Sequence, residues 1–295
     1  MKKICFAVPG AKHYETDHYT NCRASFMHIS VTGTDCSLRC EHCQGKLLEG
    51  MVPAGSPEEF VKLIDELIKK GCRGILVSGG ADARGEVPLG PYVEGMGYAR
   101  KRGLKVLVHC GLISRSTAIA LQEAGVQQAL LDIIGDEETI RRVYHLKNRT
   151  TRDYLDAMLN CREAGLDFAP HVVMGLNYGK LGGEYRALEM IQQAAPRVLV
   201  LVVLTPVRGT SMGSAAPIPV QEAGALLRHA REVFPGIITL GCAKPPGAYK
   251  EELERTAVDC GVDVIAFPTA GTVEYAQALG YDITYKEECC SACNI

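Results

Sequence analysis

The chain contains no tryptophan and few aromatic residues of any kind. Phe and Tyr make up only 6% of the 295 residues, and the formal net charge at pH 7 is −2. A charge this close to zero gives no broad attraction to nucleic acid or to an anionic membrane, so we expect neither as a partner. The longest purely aliphatic run, Val198 to Leu204, is far shorter than the roughly 20 residues that span a bilayer.

The sequence also shows no sign of a secretory signal. Lys2 and Lys3 precede no long apolar segment, which such a signal requires. The rest of the composition is that of an ordinary globular protein, with 47% hydrophobic and 22% charged residues. The length suits one large domain.

Three of the thirteen cysteines stand in one short stretch. Cys36, Cys40 and Cys43 have the spacing C-x3-C-x2-C, just after a strand-like run from Met27 to Val31. Thiolates are the protein ligands of iron–sulfur clusters. Three thiolates on a four-iron cluster leave one iron without a protein ligand, and an open position lets a metal site bind and activate a small molecule. The spacing therefore predicts a catalytic [4Fe–4S] cluster.

A structural zinc site is the alternative for this stretch. Such a site needs four ligands, usually from two short cysteine knuckles. His42 could supply the fourth ligand, but it lies between Cys40 and Cys43, where its ring would point away from a shared centre. The pattern favours an iron–sulfur cluster over zinc.

The cysteine count also bears on the compartment. Thirteen cysteines in 295 residues are too dilute for a disulfide scaffold, which needs more than about 8–10%. Together with a cluster motif, they indicate a reducing environment, so we expect a cytoplasmic protein.

Short apolar runs alternate with helical patterns along the chain. The first helix is the clearest, because Ser56-Pro57-Glu58-Glu59 is a capping box with proline at the first helical position. An extra strand is predicted at Ile4 to Val8. The alternation predicts a parallel sheet with right-handed crossovers. Eight strand-like runs precede helical patterns: Met27 to Gly33, Gly74 to Ser78, Lys105 to His109, Gln128 to Ile134, Phe168 to Met174, Val198 to Leu204, Ile237 to Leu240 and Asp263 to Phe267.

Eight such units can close into a barrel. We predict an α/β fold, a (β/α) TIM-type barrel of eight units, with a six-unit partial barrel plus C-terminal extension as the alternative. Three segments follow: an N-terminal extension over 1–25, the barrel over 26–280, and a short cysteine-rich tail over 281–295.

The functional groups of a barrel lie at the C-terminal ends of its strands. Gly79, Gly80 and Asp82 follow the second strand. His109, Asp132 and His171 come at the third, fourth and fifth strands, either lining the cavity or serving as hydrogen-bonded structural groups. A carboxylate such as that of Asp132 suits ribose hydroxyls because it accepts two hydrogen bonds.

The other cysteines divide into two groups. Those at helix ends or in apolar stripes are predicted to be core residues, since free cysteine is often buried: Cys72, Cys161 and Cys260. The tail is polar, so its cysteines are not expected to fill a core. With Cys242 after the seventh strand, or with Cys5 or Cys22, they are candidates for a second, auxiliary cluster: Cys289, Cys290 and Cys293. A disordered thiol tail and a persulfide carrier are the alternatives.

The stretch Thr34 to Gly45 closely resembles the radical S-adenosylmethionine (SAM) superfamily. The resemblance implies that SAM chelates the open iron, and that the reduced cluster cleaves it to methionine and a 5′-deoxyadenosyl radical. That radical abstracts hydrogen from an unactivated carbon. The run Gly79-Gly80-Ala81-Asp82 resembles the family's Gly-Gly-Glu turn, which binds the amino group of SAM. Because Ala81 replaces the acid, Asp82 or backbone carbonyls remain for that role.

A wider resemblance covers residues 26 to the end. Leu76-Val77-Ser78-Gly79-Gly80, Leu130-Leu131-Asp132-Ile133-Ile134-Gly135-Asp136 and the Cys289-Cys290-Ser291 tail look like one subunit of the two-protein lipoyl synthase of archaea and some bacteria. That family inserts sulfur into an octanoyl chain on a carrier-protein lysine. The resemblance implies an octanoylated carrier or octanoyl-lysyl peptide as substrate, a related second subunit, and an electron donor such as ferredoxin or flavodoxin. It also implies that an auxiliary [4Fe–4S] cluster donates the sulfur.

Two other functions remain open at this point. One is a different radical SAM reaction, such as methylthiolation or a biotin-synthase-like step. The other is a non-catalytic partner that carries a cluster or sulfur for a second subunit.

Overall fold

The computed structural model describes residues 2–293 of the chain. Within this range eleven strands form one sheet in which every pairing is parallel, in the order β11-β1-β10-β9-β8-β7-β6-β5-β4-β2-β3. The strands are β1 Lys3–Ala7, β2 Phe26–Ser30, β3 Val52–Pro53, β4 Gly74–Ser78, β5 Lys105–His109, β6 Gln128–Asp132, β7 Phe168–Met174, β8 Val198–Val203, β9 Ile237–Leu240, β10 Val264–Ala266 and β11 Asp282–Lys286.

The parallel α/β architecture predicted from the sequence is confirmed. Each of the eight predicted strand segments coincides with a strand, β2 or one of β4–β10. In the part of the chain that the structure describes, β3 and β11 are edge strands and do not pair with each other. The sheet is therefore an open, partial barrel rather than a closed ring of eight.

Nine α-helices lie between the strands within residues 2–293. Helix α1 begins as predicted, because the Ser56 side chain accepts a hydrogen bond from the backbone N–H of Glu59. Its stripe of Phe60, Ile64 and Leu67 is buried against the sheet. The helices are α1 Pro57–Lys69, α2 Val93–Lys101, α3 Arg115–Glu123, α4 Glu137–Arg142, α5 Thr151–Ala164, α6 Glu184–Ala194, α7 Val220–Val233, α8 Ala248–Asp259 and α9 Ala270–Ala278.

The two ends of the chain contribute strands to the same sheet. Strand β1 lies in the predicted N-terminal extension and pairs with both β10 and β11. Strand β11 lies in the predicted tail and has no sequence signal, because it is an edge strand whose residues are all at least partly exposed. The short helix α4 also lacked a prediction, since six residues are too few to show helical periodicity.

The sheet curves around a buried interior, which we call the lumen. Cys5 of β1, Phe26 of β2 and Val200 of β8 belong to one buried cluster, although these strands are far apart in the sheet order. Three-residue helix Cys290–Ala292 lies in the same cluster. The tail cysteines are thus core residues, and the interpretation that they do not suit a core was wrong.

The tail enters the lumen from the N-terminal ends of the strands. The Lys105 Nζ at the start of β5 pairs with Glu288 at 2.5 Å, and the Arg73 guanidinium before β4 pairs with Glu287 at 2.7 Å. Gln128 Nε2, at the start of β6, donates a hydrogen bond to the carbonyl of Ser291 at 3.2 Å. The opposite end of the lumen faces the loops that follow the strands. None of the helices within residues 2–293 combines the length and hydrophobicity needed to span a bilayer.

Candidate functional site

The loop after β2 brings the three motif cysteines together. Cys40 is buried, and Cys36 and Cys43 are half-buried. A hydrogen bond from the Cys40 thiol, with a further one from His42, lowers the pKa of Cys43 to about 4, although burial opposes this. The same bond raises the pKa of Cys40, and the charge of Cys36 contributes. All thirteen cysteines of the chain are free, so no disulfide occupies these thiols.

This donor set fits a four-iron cluster. One thiol is already poised as a thiolate, the form that binds iron. Among residues 2–293, no three His, Cys, Asp or Glu side chains converge on a single metal ion, as four would in a tetrahedral zinc site. Thiolates on a cubane each take a separate iron and need not converge. The ring of His42 hydrogen-bonds with Cys43 and packs 5.3 Å from the Tyr144 ring, so it contacts the motif from its side.

The glycine turn after β4 packs directly on this loop. A Cβ atom on Gly80 would lie 1.9 Å from the Asp35 carbonyl oxygen and 2.5 Å from the Cys36 Cα, so only glycine fits. The Gly80 N–H donates to Thr32 Oγ1 at 2.7 Å, and the Ser37 N–H donates to the Ala81 carbonyl at 2.9 Å. The predicted turn and the predicted cluster loop therefore form one unit.

An open cavity of about 390 Å³ lies between the loop and the turn. That volume is within the range of about 300–1,000 Å³ for small-molecule sites. Its lining is formed by Thr32, Asp35, Cys36, Ser37, Arg39, Gly80, Ala81, Asp82 and Pro88.

Asp82 lines this cavity, but its carboxylate is occupied by its own turn. Oδ1 accepts hydrogen bonds from the backbone N–H groups of Arg84 at 2.8 Å and Glu86 at 3.1 Å, and Oδ2 accepts from Arg84 Nε at 2.9 Å. Burial alone would raise the pKa of Asp82, and these bonds lower it below its usual value. A role in binding SAM stays a prediction for Asp82, as it does for Gly79 and Gly80.

The structure brings together His109 and Asp132, the last residues of β5 and β6, and His171, in the middle of β7. His109 Nε2 lies 3.6 Å from Asp132 Oδ1, and the two imidazole rings are 5.7 Å apart. Burial opposes the Asp132 charge, but the His109 contact outweighs it and holds the pKa of Asp132 well below its usual range. Burial and the charge of His109 lower the pKa of His171 to about 4, which keeps that ring neutral.

This trio does not line the 390 Å³ cavity, but side-chain contacts link it to the cysteine loop. The Tyr144 hydroxyl donates to Asp132 Oδ2 at 3.3 Å, and the Tyr144 ring contacts His42 beside Cys43. Its predicted role in binding SAM stays a prediction.

Glu41 is a site residue that sequence reasoning missed. Glu41 Oε1 lies 3.1 Å from His145 Nε2, and Oε2 accepts a hydrogen bond from the Tyr178 hydroxyl at 3.3 Å. Both partners have positive φ, 60° and 54°, which non-glycine residues rarely adopt. The Glu41 backbone N–H donates a hydrogen bond to the Val143 carbonyl, and the Glu41 carbonyl accepts one from the Met212 N–H. Glu41 thus ties the cysteine loop to the loops after β6, β7 and β8. No sequence signal exists, because its partners are distant in the chain.

Three of the four predicted auxiliary ligands lie in the buried cluster of the lumen, and the fourth, Cys242, is exposed. Cys289, Cys290 and Cys293 are 9%, 6% and 1% exposed. Cys242 follows β9. The protein around its thiol removes water from it and so raises its pKa, and the charge of Cys289 adds to this. Their role as ligands stays a prediction.

Comparisons with known proteins agree with this geometry. No curated protein matches the sequence significantly. Among solved structures, methylornithine synthase (PylB) superposes with a TM-score of 0.59 at 14% identity, covering 90% of this chain and 72% of its own. HydG, a maturase of the [FeFe]-hydrogenase, superposes with a TM-score of 0.60 at 16% identity, covering 90% of this chain and 57% of its own. Streptococcus suis SuiB bound to S-adenosylmethionine superposes with a TM-score of 0.57 at 12% identity, covering 80% of this chain and 52% of its own.

These likenesses show the fold alone, and the chain spans little more than half of the latter two proteins. The sequence itself matches the profile of the Radical SAM superfamily over residues 30–181, slightly more than half of its length. That region contains the three motif cysteines, the glycine turn and the His–Asp trio. The chain therefore belongs to the radical SAM superfamily, a family of enzymes that use a [4Fe–4S] cluster and SAM.

Proposed function

We propose that this protein is a lipoyl synthase-like sulfurtransferase. It inserts sulfur into an octanoyl chain on a carrier-protein lysine, as one step of lipoyl cofactor synthesis. The observation that carries the proposal is the second set of thiols. The three tail cysteines lie in the buried cluster of the inner wall, and Cys289 is close enough to His109 and to the exposed Cys242 for their charges to interact. A sulfur-inserting enzyme needs a source of sulfur close to the reacting carbon, and this position supplies thiol ligands for one.

Each part of the site has a role in this proposal. Cys36, Cys40 and Cys43 would hold the SAM-binding cluster, and the backbone of Gly79 and Gly80 would receive the amino group of SAM. The cluster and SAM, when bound, supply the radical chemistry for an unactivated C–H bond, which no side-chain acid or base can provide. His109, Asp132 and His171 would bind polar groups of SAM at the mouth of the lumen.

The lumen wall suits an acyl chain. Leu107, Leu130 and Val200 belong to its inner wall, where they are buried in one cluster with the tail cysteines. An apolar channel excludes water and holds a hydrocarbon with few polar contacts. Because the tail fills the N-terminal ends of the strands, the acyl chain would enter from the side of the loops.

The proposal includes partners. The substrate is an octanoylated lipoyl-carrier protein or an octanoyl-lysyl peptide. A second, related radical SAM subunit completes the reaction, and a ferredoxin or flavodoxin supplies electrons.

An anaerobic assay tests the proposal. The protein is incubated with SAM, reductant and an octanoyl-lysyl peptide, with and without the presumed partner protein, and the peptide mass is measured. We expect mass gains that correspond to added sulfur, and none with Cys40→Ala. Cys161→Ala is the control, because this buried thiol stands on α5, outside both the cysteine loop and the tail.

The same assay separates the alternatives. SAM cleavage without sulfur on any octanoyl substrate would contradict the proposal and favour another radical SAM reaction, such as methylthiolation or a biotin-synthase-like step. If Cys40→Ala left SAM cleavage by the protein pair unchanged, this chain would be a carrier of a cluster or sulfur for its partner.

A further inference from the structure

Three lysines lie close together where the loops after β1 and β9 meet. Lys12 follows β1, Lys244 follows β9, and Lys250 lies in the first turn of α8. Lys244 Nζ and Lys250 Nζ lie 2.8 Å and 3.7 Å from the same carboxylate oxygen, Glu254 Oε1. Lys244 Nζ also donates a hydrogen bond at 2.5 Å to the carbonyl of Ala266, the last residue of β10. We call the three lysines and Glu254 the lysine cluster.

Lys12 joins this cluster through Phe267, which directly follows Ala266. Lys12 Nζ lies 5.5 Å from the centre of the Phe267 ring, which is the distance of a cation–π contact. The ring itself packs against the buried cluster of the inner wall. Phe267 has a φ of 48°, and such strained backbone is often found where a ligand binds. The contact therefore holds an exposed ammonium group beside the wall of the lumen.

Positive charges outnumber negative charges in the lysine cluster. Glu254 is fully buried, and its other oxygen, Oε2, accepts two hydrogen bonds at 2.8 Å from groups at the start of α9. This one carboxylate faces two ammonium groups, and Lys12 forms no ion pair within residues 2–293. Burial lowers the pKa of Lys250, although Glu254 opposes this. The like charges of Lys244 and Lys12 lower it further, and a bound anion would relieve this repulsion.

The lysine cluster lies on a part of the mouth that suits an incoming substrate. The cysteine loop forms hydrogen bonds with the loops after β4, β6, β7 and β8, whereas the lysines follow β1 and β9. In (β/α) barrels, the loops after the seventh and eighth strands frequently bind an anionic group such as phosphate. Strands β9 and β10 are the seventh and eighth of the strand–helix units predicted from the sequence. An anion site is therefore expected at this position.

We propose that Lys12 and Lys250 bind a carboxylate of the carrier protein, on a residue next to the acylated lysine. The inference rests on the proposed function for the identity of the substrate. A hydrocarbon chain offers no charge to recognise, so an anionic neighbour lets the enzyme distinguish one protein lysine from another. Consecutive Cα atoms are only about 3.8 Å apart, so such a neighbour stays close to the acylated lysine at the mouth. Lys244 holds Glu254 in place instead of binding substrate, because its side chain is only 1% exposed.

Equilibrium binding of two octanoyl-lysyl peptides to the apo-protein, without SAM, tests this site. One peptide has aspartate on both sides of the acylated lysine, and the other has asparagine. We expect the wild-type protein to bind the aspartate peptide about tenfold more tightly at low salt, with a smaller preference as salt increases. Lys12→Met/Lys250→Met should lose this preference and keep the wild-type affinity for the asparagine peptide.

Lys62→Met/Lys101→Met is the matched control, because it removes two exposed lysines from the outer helices α1 and α2. It should keep the wild-type preference. Lys12→Met alone leaves the ion pairs of Glu254 intact and should still lower the preference about threefold. This single variant separates substrate binding from any loss of folding caused by the change at Lys250, and circular dichroism and melting temperature establish that each variant folds.

Two results would overturn the inference alone. One is equal affinity of the wild-type protein for the two peptides, and the other is a preference that survives in Lys12→Met/Lys250→Met or disappears equally in the control. Binding of neither peptide would refute the proposed substrate, and the inference with it. Binding with the expected preference, but without sulfur in the peptide after turnover, would contradict the proposed reaction and leave the carboxylate site supported.

Discussion

At the scale of single residues, Gly80 sets how closely the glycine turn approaches the cysteine loop. Gly80→Ala would force a Cβ into the Asp35 carbonyl and the Cys36 Cα, and backbone on both sides leaves no flexible atom to move. We expect iron occupancy of the SAM cluster or affinity for SAM to fall at least tenfold, with the fold retained. The measurements are iron content and equilibrium SAM binding.

Gly50→Ala is the matched control for this variant. Its Cβ would meet nothing within 4 Å, and Gly50 follows the same loop. Normal SAM binding by Gly80→Ala would show that the close approach of the turn is not needed.

A second residue-scale prediction concerns the Asp132–His109 pair and pH. The pKa of Asp132 is lower in the folded protein than in the unfolded chain, where it is about 3.9. The Asp132 charge therefore stabilises the fold above that pH, and this contribution is lost as the pH falls towards the folded pKa. The same contact raises the pKa of His109, although burial opposes this. The stability that the protonated His109 contributes is present below the unfolded pKa of about 6.5 and is lost as the pH rises through the folded pKa. Asp132→Asn should therefore destabilise the apo-protein most between about pH 4 and 6.5.

Urea unfolding midpoints at pH 5.5 and pH 9 measure this difference. Asp156→Asn, which breaks an exposed pair with Arg152, should have a small effect at both pH values. An Asp132→Asn effect that was larger at pH 9 would contradict the assignment of charges.

At the scale of elements, Glu41 couples the cysteine loop to its neighbours. Glu41→Ala removes the partner of two residues held at positive φ, His145 and Tyr178. Such strained backbone persists only where surrounding contacts impose it. We expect amide hydrogen exchange in residues 143–147 and 176–180 to accelerate about tenfold, which corresponds to about 1.4 kcal/mol.

Glu49→Ala is the control, because Glu49 is an exposed carboxylate just beyond the same loop. Exchange that rose equally in both variants would assign the effect to lost surface charge rather than to the contacts of Glu41.

The tail is the second element with a testable anchor. Glu287→Ala would leave the Cys22 N–H and the Tyr19 hydroxyl without their acceptor and Arg73 without its ion pair. We expect a loss of about 2–3 kcal/mol and faster reaction of the tail thiols with a thiol reagent in apo-protein. Glu274→Ala, at an exposed carboxylate, should leave the reaction rate unchanged. Equal rates in both variants would mean that Glu287 does not hold the tail.

At the scale of the whole molecule, a buried ion pair joins three consecutive elements. Lys244 Nζ lies 2.8 Å from Glu254 Oε1, with the side chains 1% and 0% exposed, and it donates to the Ala266 carbonyl at 2.5 Å. The contacts link the loop after β9 to α8 and β10. Lys244→Met should cost about 3–5 kcal/mol, because it leaves a buried carboxylate without its main partner.

Urea denaturation of the apo-protein measures this cost. Arg197→Met, which breaks the pair of an exposed guanidinium with Asp167, should cost no more than about 1 kcal/mol. A small effect of Lys244→Met would show that Lys250, 3.7 Å from the same carboxylate, takes over the pairing.

The sequence alone determined those features of the fold and the site that depend on residues close together in the chain. The spacing of Cys36, Cys40 and Cys43 identified the cluster loop, because the ligands of one site are close together in the chain. The alternation of apolar runs and amphipathic helices identified β2 and β4–β10, since burial on both faces makes such strands continuously apolar. The Ser56 cap was also evident, because its hydrogen bond spans three residues.

Only the tertiary structure decided those features that depend on contacts between residues far apart in the chain. The tail looked polar, yet it fills the lumen, because Glu287 and Glu288 pair with Arg73, just before β4, and with Lys105, at the start of β5, which are far away in the chain. Strand β11 exists because β1 offers a free edge, not because its own residues favour burial. The contacts of Glu41 and the meeting of Cys5 with Cys293 have the same origin, since curvature of the sheet sets distances that sequence spacing does not encode.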